Sequence, residues 1–281
     1  MKDYIKLLRM KHYIKNLIIL FPLLFGGQLL NAAAWKNSLL GMVVFCAASS
    51  GVYIINDIHD APKDRLHPIK KNRPIASGAI SKKQAISVAV VCLVIAAVLS
   101  VPQITGLNVT GLILLIVYIA INVAYSSGLK DVPILDIVIL AAGYVIRVYY
   151  GGAVTKIAIS DWLFLVITAG ALYMGLGKRY GELARGTDTR EVLKSYSRDF
   201  LERGMTLMMG LTIVFYALWA RDLKKSHMIF SVPVFIIIML RYAQIGEKKA
   251  DGDPVEVILS DVPLLILLVI YGIMVSLILY L

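Results

Sequence analysis

Charge and cysteine are both scarce in this chain of 281 residues. Only 17% of its residues are charged, against about 25% in a soluble domain. Cys46 and Cys92 are its only cysteines. Both fall inside apolar runs, which excludes a disulfide framework or a cysteine-based zinc site and leaves two small buried apolar side chains. No Gly/Ser-rich or Pro-rich linker divides the chain, so a single domain over 1–281 is expected. Acidic residues are the scarcer sign, with 18 Asp and Glu against 29 Lys and Arg and a formal net charge of +11. In a soluble protein that balance would point to nucleic acid. Here the basic residues sit in loops between apolar runs, so membrane topology and anionic ligands are expected, and no nucleic-acid partner.

What is abundant is apolar. Hydrophobic residues make up 59% of the chain and the mean hydropathy is +0.77. These values exclude a soluble enzyme, a disordered chain and a secreted disulfide scaffold. Nine runs are long enough for membrane helices, which need roughly 17–25 residues. They lie near 17–34, 38–55, 84–104, 107–125, 133–151, 160–177, 204–220, 227–243 and 262–281. None alternates as a barrel strand would, so the expected fold class is all-α, a polytopic bundle of nine transmembrane helices in the lipid bilayer. The first run, with its basic start and Ala32-Ala33-Ala34, has some features of a signal peptide. A first transmembrane helix is the preferred reading, because eight more runs follow and the charged start is long.

The basic residues orient the bundle. Residues 1–16, the loops 56–83, 178–203 and 241–261, and Lys130 together hold 23 of the 29 Lys and Arg; Arg147 lies inside a run and five lie in the alternate loops. The rich side is cytoplasmic by the positive-inside rule. The N-terminus is therefore expected inside, the C-terminus outside, and the protein in the plasma membrane.

The second run ends in Asn56-Asp57-Ile58-His59-Asp60-Ala61-Pro62-Lys63-Asp64. Three carboxylates spaced i, i+3 and i+7 share one helical face and repel one another unless a cation joins them. Mg2+, a hard ion that takes carboxylate and phosphate oxygens, suits that set. Pro62 is expected to kink the helix and displace Asp64, which makes Asn56, Asp57 and Asp60 the firmer ligands. A solvated acidic helix end balanced by Lys63 and Arg65 is the plainer alternative. The following segment carries Arg65, Lys70, Lys71 and Arg73. Cations beside a magnesium site suggest a ligand with more negative charge than the metal balances, such as a diphosphate. Lys71, Lys82 and Lys83 read as topological. His59 and His67 read as hydrogen-bonding or loop residues, since Mg2+ prefers oxygen. Arg147, within the fifth run, needs a polar cavity or partner, or else snorkels outward near Gly151-Gly152. Asp136 is a candidate partner for a basic group.

The pattern N-D-x-x-D-x-x-x-D at the end of the second helix resembles the UbiA superfamily of intramembrane prenyltransferases. Further blocks resemble one subgroup of it, the decaprenyl-phosphate phosphoribosyltransferases. These blocks are Lys15-Asn16, the run from His67-Pro68 through Lys70, Arg73-Pro74-Ile75-Ala76 and Gly78, Tyr125 with Gly128-Leu129-Lys130, and Arg147 with Gly151-Gly152. Gly177-Lys178-Arg179-Tyr180-x-Glu182-Leu183, Tyr196 and Arg241-Tyr242 complete the order. Two departures are Tyr13, where the subgroup has Trp, and Met10, where it has Pro.

The resemblance implies a Mg2+-dependent transferase. Its implied donor is 5-phosphoribosyl 1-diphosphate, its acceptor a polyprenyl phosphate lipid, and its setting cell-wall precursor synthesis. Asp57, Asp60, Asp64 and Arg73 are implied as catalytic, with Asn56, Asp57, Asp60 and Asp64 on the metal. Lys15, Asn56, Lys70, Tyr125, Lys130, Lys178, Arg179 and Glu182 are implied as substrate-binding. Lys178 and Arg179 replace the acidic residues of ordinary members in the sixth–seventh loop, which suits a donor carrying a second phosphate. Arg185, Arg190 and Arg198 read as topological. The alternative enzyme is a prenyltransferase acting on an aromatic or quinone-precursor acceptor, which would need a second acidic motif from Asp188, Glu191 and Asp199. The alternative outside enzymes is a transporter, with broken helices and polar groups at the bilayer midplane. Oligomeric state is open, and a homo-oligomer is compatible with the sequence.

Overall fold

The computed structural model describes residues 2–106, 108–186, 190–223, 227–249 and 254–281. Among these the chain is helical throughout, with no strand. A short helix α1 (Lys2–Leu7) leads into a 3-10 stretch (Met10–Leu20) and a one-turn α2 (Phe21–Phe25). Then come α3 (Ala32–Leu66), α4 (Lys82–Leu99), α5 (Pro102–Thr105), α6 (Val109–Ser126) and α7 (Leu135–Thr155). The remainder is α8 (Asp161–Arg185), α9 (Arg198–Asp222), α10 (Ser231–Lys249), α11 (Pro254–Leu259) and α12 (Val262–Tyr280).

Among the described residues, seven helical stretches are long and apolar enough to cross a membrane: α3, α4, α6, α7, α9, the stretch Met228–Glu247 and α12. The expectation was nine. The run 17–34 does not form one helix. It is divided between the 3-10 stretch, α2 and the start of α3, because Gly27 turns the chain at φ +71° and Asn31 caps the next helix through the N–H groups of Ala33 and Ala34. Such stop and start signals are invisible to hydropathy, which sees an unbroken apolar run. The run 160–177 lies within α8, whose last turns carry Lys178, Arg179, Glu182 and Arg185.

The helix that presents the acidic motif is 35 residues long. At 1.5 Å per residue it extends about 52 Å, well beyond a hydrocarbon core of about 30 Å. It is therefore long enough to carry Asn56 to Asp64 past the apolar layer. The expected displacement at Pro62 does not occur. Pro62 is exposed near the helix end, α3 continues to Leu66, and Asp64 stays buried on the same face as Asp57.

Two compact units emerge from the packing, one of Met1–Leu23, Gln28–Val132 and Ile146–Ala158, the other of Leu24–Gly27, Pro133–Val145 and Ile159–Leu281. In the first, Ile19, Val44, Phe45, Ala48, Leu115, Tyr118 and Tyr150 form a buried core. Gly151 of α7 lies directly on the 3-10 stretch, where a Cβ atom would stand 2.1 Å from the Ile19 carbonyl oxygen. Backbone cannot give way as a side chain can, so Gly151→Ala is expected to cost about 1–3 kcal/mol or more. A lowered unfolding temperature in detergent checks this; an unchanged one would show that the segment is free to move.

The second unit is built on the α8–α9 pair, with α10 packed on α9 and α12 on α10. Gly175 lets α8 approach α7, since a Cβ there would lie 2.9 Å from the Ile137 side chain. Tyr216 stacks on Phe235 at 4.2 Å between ring centroids, with Trp219 and Tyr271 beside them. Arg241 of α10 forms a two-pronged pair with Asp261, at 2.7 and 3.2 Å, and Asp261 caps α12.

Candidate active site

In the first unit, the end of α3 gathers every expected catalytic residue. The Asp57 carboxylate, almost wholly buried, accepts hydrogen bonds from Arg9 (Nη2 2.5 Å, Nε 3.3 Å) and from Arg73 Nη1 (3.0 Å). The same Nη1 donates to Asp64 at 2.7 Å, so one guanidinium nitrogen bridges two carboxylates spaced i, i+7. Asp60 pairs with Lys130, which reaches it from the turn Leu129–Asp131. Asn56 accepts a hydrogen bond from Ser126 at 2.9 Å, which ties α3 to the end of α6. Arg73 is positioned by the turn Lys70–Asn72. That turn is organised by buried His67, whose Nδ1 accepts the N–H groups of Ile69 and Lys70. His67 is thus a loop residue, as the sequence suggested. Lys70, Lys15 and Tyr125 are half-buried in the same unit.

Arg9 is the residue that sequence reasoning missed. It reads as one of five N-terminal positive charges, and nothing in its spacing links it to Asp57, 48 positions away. Its backbone is left-handed (φ 51°), and its guanidinium stacks over Tyr53 at 5.2 Å. Arg147 does not snorkel outward. It is buried, donates to Asn16 (2.8 Å) and Tyr118 (3.1 Å), and lies over the Phe45 and Tyr118 rings. Asn16 in turn donates to Cys46 and Ser49.

The chemistry of the donor set suits Mg2+: hard oxygens on one helix end, with two carboxylates already close enough to share one cationic nitrogen. Among the described residues no three acidic or histidine side chains converge on a single point. Mg2+ is commonly held by one or two carboxylates and completed by substrate phosphate and water, and Asp57 and Asp64, which share the Arg73 nitrogen, could supply those carboxylates.

The second unit carries the other motif, and here burial changes the reading. Arg179 is fully buried and pairs with Asp136 (2.5 Å) and Glu182 (2.5 Å). Asp136 is the basic group's partner that the sequence suggested. It also accepts the Tyr196 hydroxyl (2.5 Å), while that oxygen accepts the Ile134 N–H at 2.6 Å. Ile134 sits at φ 68°, a strained conformation for a β-branched residue, and the Tyr196 hydroxyl restrains it. Arg179 is accordingly an internal tie between α7 and α8, not a guanidinium displayed for phosphate. Lys178, next to it, is half-buried. Arg190 contributes a weak contact to Glu182 at 3.7 Å, so it is more than a topological charge.

Burial alone would push the Glu182 carboxyl up, but Arg179, Arg190 and Lys178 hold it down at about 2, against an ordinary value of 4.5. A depressed carboxylate contributes stability that is complete above its unfolded value and lost as pH falls through its folded one. Stability is therefore expected to decline between pH about 4.5 and about 2, and Glu182→Gln should flatten that decline. Thermal unfolding across this range checks it; identical pH curves for the two proteins would refute it.

Among the described residues no second acidic site forms. Glu191 pairs with Lys194 and Asp199 with Arg203, both exposed; Asp188 lies outside the described residues.

Comparison with known proteins agrees with this architecture. The model of the UbiA prenyltransferase family matches residues 19–279. The chain belongs to the UbiA prenyltransferase family. Relatives of this UbiA-family chain include proteins named decaprenyl-phosphate phosphoribosyltransferase. That of Corynebacterium glutamicum is 35% identical over 270 residues, covering 92% of this chain and 80% of the relative. That of Mycolicibacterium smegmatis is 35% identical over 277 residues, covering 92% and 86%. In fold, the UbiA-family chain is similar to a UbiA homologue from Archaeoglobus fulgidus solved with GPP and Mg2+. The TM-score is 0.76 at 18% identity, with 99% of this chain and 100% of the other covered.

Proposed function

We propose that this chain transfers a 5-phosphoribosyl group from 5-phosphoribosyl 1-diphosphate to a polyprenyl phosphate, releasing diphosphate, in the synthesis of a cell-wall precursor. The observation that carries this reading is the 35% identity, over 92% of the chain, to proteins named for that activity. The surplus of cations around the acidic motif supports it, as does half-buried Lys178 beside the Arg179–Glu182 pair. We read the protein as one transmembrane domain over 1–281 with nine passes in the plasma membrane, the seven long helices being joined by α8 and by the continuous helical stretch 10–25 that replaces the expected first run. Its N-terminus and both motifs face the cytoplasm, the side that the Lys and Arg distribution favours.

Asp57, Asp60 and Asp64, with Asn56, are assigned as the Mg2+ ligand set, of which one or two carboxylates at a time would hold the ion, completed by substrate phosphate and water. The ion would neutralise charge on the leaving diphosphate. Arg73 and Lys70 bond diphosphate oxygens and gain strength as negative charge grows there. The ribose C1–O bond breaks, its electron pair departs with diphosphate, and an acceptor phosphate oxygen forms the new bond to C1. That phosphate is already ionised near neutral pH, so no side chain has to remove a proton. Lys15, Tyr125, Lys130 and Lys178 are assigned to the donor 5-phosphate and the acceptor phosphate. Arg179 and Glu182 act as positioning residues for Lys178.

The deciding experiment supplies purified protein with labelled phosphoribosyl diphosphate or labelled prenyl diphosphate, each with its acceptor. Consumption of the phosphoribosyl donor is expected, stopped by EDTA and restored by Mg2+. Consumption of prenyl diphosphate alone would replace this function with aromatic prenyl transfer, and activity unchanged by EDTA would remove the metal.

A further inference from the structure

A cavity of about 280 Å3 lies within the second unit, between α8, α9 and α10 with α11 at one side. Tyr173, Tyr180 and Tyr242 supply three aromatic faces, and the Tyr173 and Tyr242 rings are tilted 58° to each other at 6.0 Å. Three methionines of α8 and α9 add soft, polarisable wall. Glu202 and Glu247 supply two carboxylates. Gly177, Ala243 and Gly246 keep the space open, and a Cβ at Gly246 would meet nothing within 4 Å.

Both carboxylates line the same cavity as Tyr180. The Tyr180 phenol is pushed up by Glu202, by burial and by the charge of Glu247, with Arg198 opposing. Among the described residues no Lys or Arg lines the cavity, although the chain holds 29 of them. Among the described lining residues a phosphate or diphosphate would meet two negative charges and no positive one, Arg198 standing outside that lining. The cavity is thus unsuited to either substrate of the proposed transfer. Tyrosine faces together with carboxylates are the chemistry that recognises organic cations. The carboxylates stand at the ends of the apolar runs and the methionines within them, so the complementary molecule has a positive head and an apolar body.

We infer that the cavity between α8, α9 and α10 is a binding site for an alkylammonium group, its charge held by Glu202 and Glu247 against the tyrosine faces and its chain along the methionines. Two sources share that chemistry: the amine headgroup of an aminolipid and a free amphiphilic amine. The site is independent of the proposed transfer reaction, and its failure would leave that reading untouched.

The test uses the full chain in a maltoside detergent, titrated with n-octylammonium by calorimetry. Saturable binding is expected, weakened at least tenfold in the double variant Glu202→Gln/Glu247→Gln and in Tyr242→Leu. Gly246→Leu, which fills the space without removing a charge, should weaken it likewise. Inorganic diphosphate and EDTA should leave it unchanged. In nanodiscs of phosphatidylethanolamine mixed with phosphatidylglycerol, retention of phosphatidylethanolamine by the wild type but not the double variant assigns the lipid headgroup. Octylammonium binding without such retention assigns a free amine. No saturable binding by the wild type, or equal binding by the folded double variant and Gly246→Leu, overturns the site.

Discussion

Asp57→Asn is expected to reduce transfer by about 10²–10³-fold or more while the protein remains folded, the scale seen when one preorganised electrostatic group is removed from a transition state. The substitution keeps shape and hydrogen-bonding oxygen but removes the charge on which Arg9 and Arg73 converge. Arg9 and Arg73 are partly exposed, at 19% and 28% of their side chains. Water can therefore solvate them when their partner is lost, and the penalty should fall on catalysis, not on folding. Asp60→Ala should act in the same direction, since it removes the second carboxylate of the helix face and frees Lys130. The measurement is product formation from labelled phosphoribosyl diphosphate, with gel filtration and thermal unfolding as the folding control. Activity within a few-fold of the wild type would mean that the carboxylates at the end of α3 serve packing alone and take no part in the reaction.

Arg179→Met carries the opposite expectation, a loss of stability. Arg179, Asp136 and Glu182 are all buried, and removing the guanidinium leaves two carboxylates without their shared cation. Breaking such a group costs about 3–5 kcal/mol, because the remaining charges stay desolvated. For a chain of this size that corresponds to an apparent Tm lower by roughly 10 °C. Adding Asp136→Asn and Glu182→Gln should recover part of the loss, since neutral amides need no counter-charge. A variant with normal Tm and a raised KM for the phosphoribosyl donor would instead return Arg179 to direct substrate binding. The two substitutions therefore separate a residue that touches the reaction from one that holds another residue in place.

Much of the candidate site was legible because helical periodicity is a local property. Three aspartates at i, i+3 and i+7 must share a face on any continuous helix, and the cations of 65–73 follow within one loop. Pro62 was misjudged because its effect depends on what surrounds it. A proline whose ring faces out, near a helix end, leaves the buried face undisturbed. The first apolar run was misjudged for a related reason, since hydropathy measures composition whereas Gly27 and Asn31 set the helix ends by conformation. Arg9 left no signal at all, as its partner is 48 positions away.

Sequence by itself determined that the chain is helical and membrane-embedded, where its acidic motif begins, and which family it resembles. Each of these follows from composition, from local spacing or from matched motifs. Only the tertiary structure decided how the charges are shared out. One nitrogen of Arg73 bridges Asp57 and Asp64, Lys130 takes Asp60, and Arg179 is withdrawn between Asp136 and Glu182. Pairing and burial arise when distant segments pack together, and in a low-dielectric interior they determine whether a charged side chain meets substrate or supports its neighbours.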